Sequence, residues 1–165
     1  MPVVSDTSPI LNLAIINQLD LLQQQFTEVL IPPAVLAELM PETKFPEAET
    51  IQQALEAGWL QAVELKDARL KRALRLEVDE GEAAAIALAL ELGFEQILMD
   101  ERDGRIKAKA MGLRPVGVLG ILLRAKRDGR LDSVEDAMAA LRHEAGFFIA
   151  NELFETILVE AGERY

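Results

Sequence analysis

Four acids stand where short apolar segments stop or where a helix starts. Asp6 follows PVVS, Glu38 lies within AVLAELM, Glu82 falls in the first turn of DEGEAAAIALALELG, and Asp100 follows QILM, with Glu101 and Asp103 just beyond it. In a parallel sheet the carboxyl ends of all strands lie on one edge, which is where open α/β sheets bind ligands. Asp6 and Asp100 would share that edge, Glu82 could lean over it, and Glu38 could close the ring. Converging carboxylates repel one another unless a cation neutralises them. Oxygen-only donors select hard ions, Mg²⁺ or Mn²⁺. Such an ion activates water and stabilises a pentavalent phosphate without a histidine base.

Each acid also has a plainer reading. Asp79-x-x-Glu82 is a capping-box pattern, so Glu82 could serve only the backbone N–H of Asp79. Asp6 could cap the helix after it. Glu38 alone reads as a solvated helix charge, and Asp100, Glu101 and Asp103 as a polar turn. The weight rests on the combination. Other chemistries are closed off: the chain has no Cys, and its one His, His143, lies in a late polar helix. Thiolate sites, disulfides, His triads and multi-His metal sites are therefore excluded.

The elements that must hold these acids can be read in order. PVVSD opens as a short strand, and TSPILNLAIINQ as a helix with Ser8 as N-cap and Pro9 in the first helical position. LDLLQQQF is a second helical piece and TEVLI a strand stopped by Pro32 and Pro33. AVLAELM is a helix, PETKFP a loop, PEAETIQQALEAG an amphipathic helix closed by Gly58, WLQAVEL a strand with Trp59 in the core, and DARLKRALRLE a basic helix. The stretch from Asp79 to Leu92 is apolar all round, which predicts a helix packed on more than one face; Gly93 should be its left-handed cap. After QILM come the helix GRIKAKAMGL, the strand RPVGV, the helix LGILLRAKRDG, a helix capped by Asp132 or Ser133, and a last helix with Leu153, Phe154, Ile157 and Leu158 inward. Strands alternating with helices predict a parallel α/β sheet.

The 165 residues suit one domain, with residues 132–165 as a C-terminal helical extension. Half the residues are hydrophobic but only 5% aromatic, so the core must be largely aliphatic. The net charge of −11 argues against a protein that coats nucleic acid. Yet 14 of the 17 Lys and Arg lie between Lys66 and Arg130, so a basic face can exist within an acidic chain. No apolar run reaches the roughly 18 residues of a membrane span and no signal-peptide pattern opens the chain, which leaves a cytoplasmic location as the expectation.

DTSPILNLA after a first strand, VLAEL in a helix, DEGEAAAIALALELG, and ILMDERDGRIKAKAMGL together resemble the PIN domain, a superfamily that includes VapC-like toxin nucleases. The continuation GRIKAKAMGLRPVGVLGILLRAKRDG resembles a bacterial subgroup with further C-terminal helices. The resemblance covers nearly the whole chain. It implies a three-layer α/β/α sandwich with a central parallel sheet and a carboxylate pocket for Mg²⁺ or Mn²⁺. It also implies phosphodiester hydrolysis of single-stranded RNA, frequently as the toxin paired with an antitoxin protein, and frequently in a homodimer. Matched by position, its acids are Asp6, Glu38, Glu82 and Asp100, with Thr7 and Ser8 as polar helpers. The family usually has Asp where this chain has Glu82. Its last motif is commonly Thr-x-Asp, with the Asp in register with Glu101, so Asp100, Glu101 and Asp103 compete for the fourth metal position.

The leading expectation is thus a metal-dependent ribonuclease, with Arg69, Arg72, Arg102 and Arg105 as candidate phosphate contacts. The alternative is a PIN-like module that has lost catalysis and binds RNA or a protein. A phosphoacceptor receiver would need a strand ending in Lys, and RPVGV runs into Gly117. A haloacid-dehalogenase phosphatase would need Asp-x-Asp where this chain has Asp6-Thr7-Ser8.

Overall fold

The strands are three residues each; Val3–Ser5, Val29–Ile31 and Gln96–Leu98 are almost wholly buried, as expected of short aliphatic runs covered on both faces, while Leu60–Ala62 and Arg114–Val116, at the two edges of the sheet, are partly exposed. The computed structural model describes residues 1–40 and 45–164, so most of the predicted PETKFP loop lies outside the described residues. The elements are β1 (Val3–Ser5), α1 (Thr7–Ile15), α2 (Asp20–Gln25), β2 (Val29–Ile31), α3 (Pro33–Leu39), α4 (Ala48–Ala57), β3 (Leu60–Ala62), α5 (Arg69–Leu74), α6 (Glu80–Glu91), β4 (Gln96–Leu98), α7 (Arg102–Ala110), β5 (Arg114–Val116), α8 (Val118–Arg127), α9 (Val134–His143) and α10 (Asn151–Glu160). The sheet is all parallel in the order β3-β2-β1-β4-β5. The chain winds outward from β1 to β3, then returns through α6 to start again at β4. The crevice between the ends of β1 and β4 is therefore the topological switch point, the usual ligand position in such sheets.

Alternation along each strand builds two cores. Val3, Val29, Ile31 and Leu98 face one layer, with α1 to α4 and α8 to α10. Val4, Leu30, Ile97 and Met99 face the other, with α5, α6 and α7. The result is a three-layer α/β/α sandwich. Helix α6 is buried at every position from Gly81 to Ala89, in keeping with its apolar circumference, and Gly93 ends it at φ 73°. The C-terminal helices belong to the first core through Val134, Met138, Leu141, Ile157 and Leu158. No helix among the described residues is long and apolar enough to cross a membrane.

Three local expectations change. Helix α1 begins at Thr7, with Asp6 and not Ser8 in the N-cap position. Pro9 then stands third in the helix, where its missing N–H still costs nothing, because the first four N–H groups have no partner inside a helix. Helix α7 begins at Arg102, before the predicted Gly104, so Glu101 is its N-cap residue and Asp103 lies in its first turn. Leu153, expected inward, is exposed; Ile157 and Leu158 do the burying in α10.

Candidate active site

Asp6 is fixed by its backbone. Its N–H donates to the Leu98 carbonyl at 2.9 Å, which carries the β1–β4 pairing one residue past the strand. Its carbonyl accepts a 2.8 Å bond from the buried Ser5 hydroxyl. The side chain is 4% exposed and, although Asp6 is the N-cap residue of α1, makes no capping bond into the first turn. Burial pushes its pKa up to about 7. The nearby charges of Asp79, Glu82 and Glu38 push the same way, and the Thr7 N–H opposes them.

Glu38 reaches the same point from α3. Its Oε2 accepts a 2.6 Å bond from the Thr7 hydroxyl. A Cβ placed on Gly81 would lie 2.6 Å from Glu38 Oε1 and 3.3 Å from Asp6 Oδ1. The missing side chain at Gly81 is thus what lets α6 pass beneath both carboxylates. Ser8 is half-buried in the first turn of α1.

Glu82 combines both readings of its sequence position. The capping box is formed: Glu82 N–H donates to Asp79 Oδ1 at 2.8 Å, and Asp79 N–H donates to Glu82 Oε2 at 3.3 Å. The second bond is long and occupies one carboxylate oxygen. Glu82 is only 5% exposed, and burial raises its pKa to about 6, with the charges of Asp79, Glu101 and Asp103 adding to the effect and the Asp79 N–H opposing it. Gly104 makes room from α7 for Met99 and for Glu82, since a Cβ there would lie 2.5 Å from Met99 Sδ and 3.2 Å from the Glu82 carboxyl carbon.

Asp100 sits at the edge of this group and faces elsewhere. Its Oδ1 accepts a 2.8 Å bond from Val118 N–H at the start of α8, and its Oδ2 is buried with no hydrogen-bond partner. Burial raises its pKa to about 6. The Val118 N–H and the Arg105 cation pull it down, and Glu101 raises it. Arg105 donates to the Met99 carbonyl at 2.8 Å, and both Arg105 and Asp100 pack where Gly117 has no Cβ.

The structure therefore sets Asp6, Glu38 and Glu82 near one another at the switch point, and places Glu101 and Asp103, at the start of α7, near enough for their charges to act on Glu82. Glu82, Glu101 and Asp103 line a polar cleft of about 460 Å³ with Asp79, Arg75 and Arg102. Of the candidate phosphate contacts, only Arg102 lines this cleft. Arg69 is exposed and paired with Asp67, Arg72 is exposed on α5, and Arg105 is tied to the end of β4. Two contributors went unread in the sequence. Asp79 looked like a cap alone, yet its charge acts on both Asp6 and Glu82. Arg75, read only as part of a basic helix, lines the cleft.

The family model DUF3368, described as a PIN domain, matches residues 2–163. The chain belongs to the PIN domain family. No curated protein matches it. PIN domains are generally nucleases, hydrolases that typically use divalent metals. Two observations bear on whether this PIN domain suits such an ion. The donors are all carboxylate oxygens, as hard cations prefer, and burial without any cationic partner raises the pKa of Asp6 and Glu82, a cost that a cation would offset. Among the described residues, no three of the acids are already gathered around one point. The donor chemistry of the site fits the ion, and the side chains are not drawn in around one point.

Proposed function

We propose that this PIN domain is a Mg²⁺- or Mn²⁺-dependent endoribonuclease acting on single-stranded RNA. The observation that carries the reading is the Asp6 carboxylate: buried, pinned through its backbone on both sides, uncapped, and facing Glu38 and Glu82. Asp6 and Glu82 would hold the metal, with one acid among Asp100, Glu101 and Asp103 completing the site. Glu101 and Asp103 suit this better than Asp100, because their charges bear on Glu82 while Asp100 spends one oxygen on α8. Glu38, oriented by Thr7, would join directly or through water, and Ser8 would hydrogen-bond a ligand carboxylate or water. A bound Mg²⁺ or Mn²⁺ supplies an activated water and charge neutralisation at the phosphate. Arg75 and Arg102, on the cleft wall, would orient phosphate oxygens.

The family resemblance supports a role as the toxin of a toxin–antitoxin pair, working as a homodimer and held in check by an antitoxin protein. The test of the enzymatic reading is cleavage of labelled single-stranded RNA with Mn²⁺, wild type against Asp6→Asn. Metal-dependent cleavage confined to the wild type supports it; equal cleavage by both refutes it.

A second reading has its own support. Glu82 is engaged in a capping box and the acids are not gathered around one point, which suits a PIN domain that binds RNA or a protein without cutting. Failure of the wild type to bind Mn²⁺ would put this reading first.

A further inference from the structure

A second groove, of about 530 Å³, opens on the other side of the Asp100–Arg105 stretch, between the end of β5, the start of α8 and the segment before α10. Its walls include Leu119, Phe148 and Leu153, and its cations are Arg105 and Arg114. The one acid, Asp100, has an oxygen bonded to the start of α8 and the other buried, and Arg105 packs beside it and donates to the Met99 carbonyl, so the exposed charge of the groove is the cation of Arg114 in a chain of net charge −11.

Phe148 is 86% exposed, the most exposed aromatic side chain among the described residues. It is held out on an anchored support. On one side Phe147 N–H donates to the Leu141 carbonyl at 2.9 Å; on the other the Ile149 side chain is 4% exposed and its carbonyl accepts from Arg142. With Leu153, 44% exposed on the same groove, Phe148 forms an apolar surface held on a fixed backbone.

We propose that this groove is a nucleotide subsite for single-stranded RNA, with a base stacked on Phe148 and its phosphate held by Arg114. The proposal rests on the ribonuclease reading and names where the same strand continues past the acids. Stacking rings beside arginines are how proteins hold single strands without reading sequence. The groove and the acid cleft flank one stretch of chain: Asp100 and Arg105 line the former, Glu101, Arg102 and Asp103 the latter. A strand laid along the carboxyl edge of the sheet would touch both.

The test is fluorescence anisotropy with a short fluorescein-labelled oligouridylate and an abasic oligomer of equal length, in EDTA so that neither is cut. Phe148→Ala should weaken oligouridylate binding about tenfold and leave the abasic oligomer unaffected. Arg114→Ala should weaken both and reduce the salt dependence by about one phosphate contact. With Mn²⁺, Phe148→Ala should raise KM and leave kcat unchanged. Oligouridylate affinity equal to wild type in Phe148→Ala overturns the subsite. So does a wild-type dimer that Phe148→Ala dissociates with RNA affinity unchanged, which would make this face a contact between copies of the chain. If the wild type cleaves RNA and Phe148→Ala matches it in affinity and KM, the subsite falls and the nuclease stands. If the wild type neither binds nor cleaves RNA, both fall.

Discussion

The Thr7 hydroxyl donates a 2.6 Å hydrogen bond to Glu38 Oε2, linking the first residue of α1 to a carboxylate 31 positions later in α3. Glu38 is exposed on its helix, and this bond turns it toward Asp6 instead of solvent. Thr7→Val keeps the branched shape and removes the donor. Stability should change by no more than about 1 kcal/mol, since the bond is solvent-accessible, while Mn²⁺ affinity measured by calorimetry should fall several-fold. Unchanged affinity would remove Glu38 from the site.

Gly81 offers the converse experiment. Alanine is favoured over glycine within a helix by roughly 1 kcal/mol, but a Cβ here would press Glu38 Oε1 at 2.6 Å and Asp6 Oδ1 at 3.3 Å. Glu38 is the flexible end of an exposed chain and would move aside. Gly81→Ala should therefore fold with near wild-type stability and lose RNA cleavage by about tenfold or more, as small misplacements of reacting groups do. A fully active variant would show that these two carboxylates need not meet.

The raised pKa values give a pH signature. Asp6 at about 7, and Glu82 and Asp100 at about 6, hold protons in the folded chain that the unfolded chain has already released. Between roughly pH 4 and 7 the native state binds more protons, so stability should fall as pH rises through that window. In EDTA the melting temperature should be higher at pH 5 than at pH 8, and Asp6→Asn should narrow the difference by raising the value at pH 8. Mn²⁺, which binds the ionised carboxylates, should stabilise more at pH 8 than at pH 5. Scanning calorimetry with and without metal reads both trends, and a melting temperature rising with pH in EDTA would contradict the first.

Asp100 and Glu101 can be separated. Asp100→Ala removes the acceptor for Val118 N–H at the start of α8, worth about 1 kcal/mol as other helix caps are. Asp100→Asn keeps an oxygen for that bond and should retain Mn²⁺ binding. Glu101→Gln or Asp103→Asn should weaken Mn²⁺ binding at unchanged stability, since both side chains are exposed. Loss of Mn²⁺ binding in Asp100→Asn, with neither of the others affected, would return the fourth position to Asp100.

The fold was legible because its signals are local. Aliphatic runs of strand length, Pro33 opening α3, Gly58 and Gly93 as left-handed caps, and an α6 with no polar face each follow from short stretches of sequence. The acids at the carboxyl edge were legible for the same reason, since the end of a parallel strand fixes their side of the sheet. What could not be read were the directions of side chains that depend on distant partners. Whether Asp6 caps α1 depends on its pairing with Leu98, and which way Asp100 turns depends on α8, 18 residues on. The part played by Gly81 and Gly104 is likewise a matter of what lies opposite them.

If Asp6 anchors a divalent metal between β1 and α6, Mn²⁺ calorimetry at pH 8 should show binding to the wild type and none to Asp6→Asn, with the melting curve of each protein confirming that it is folded and the variant at least as stable as wild type without metal. Mn²⁺ binding of equal affinity to both proteins would place the metal elsewhere.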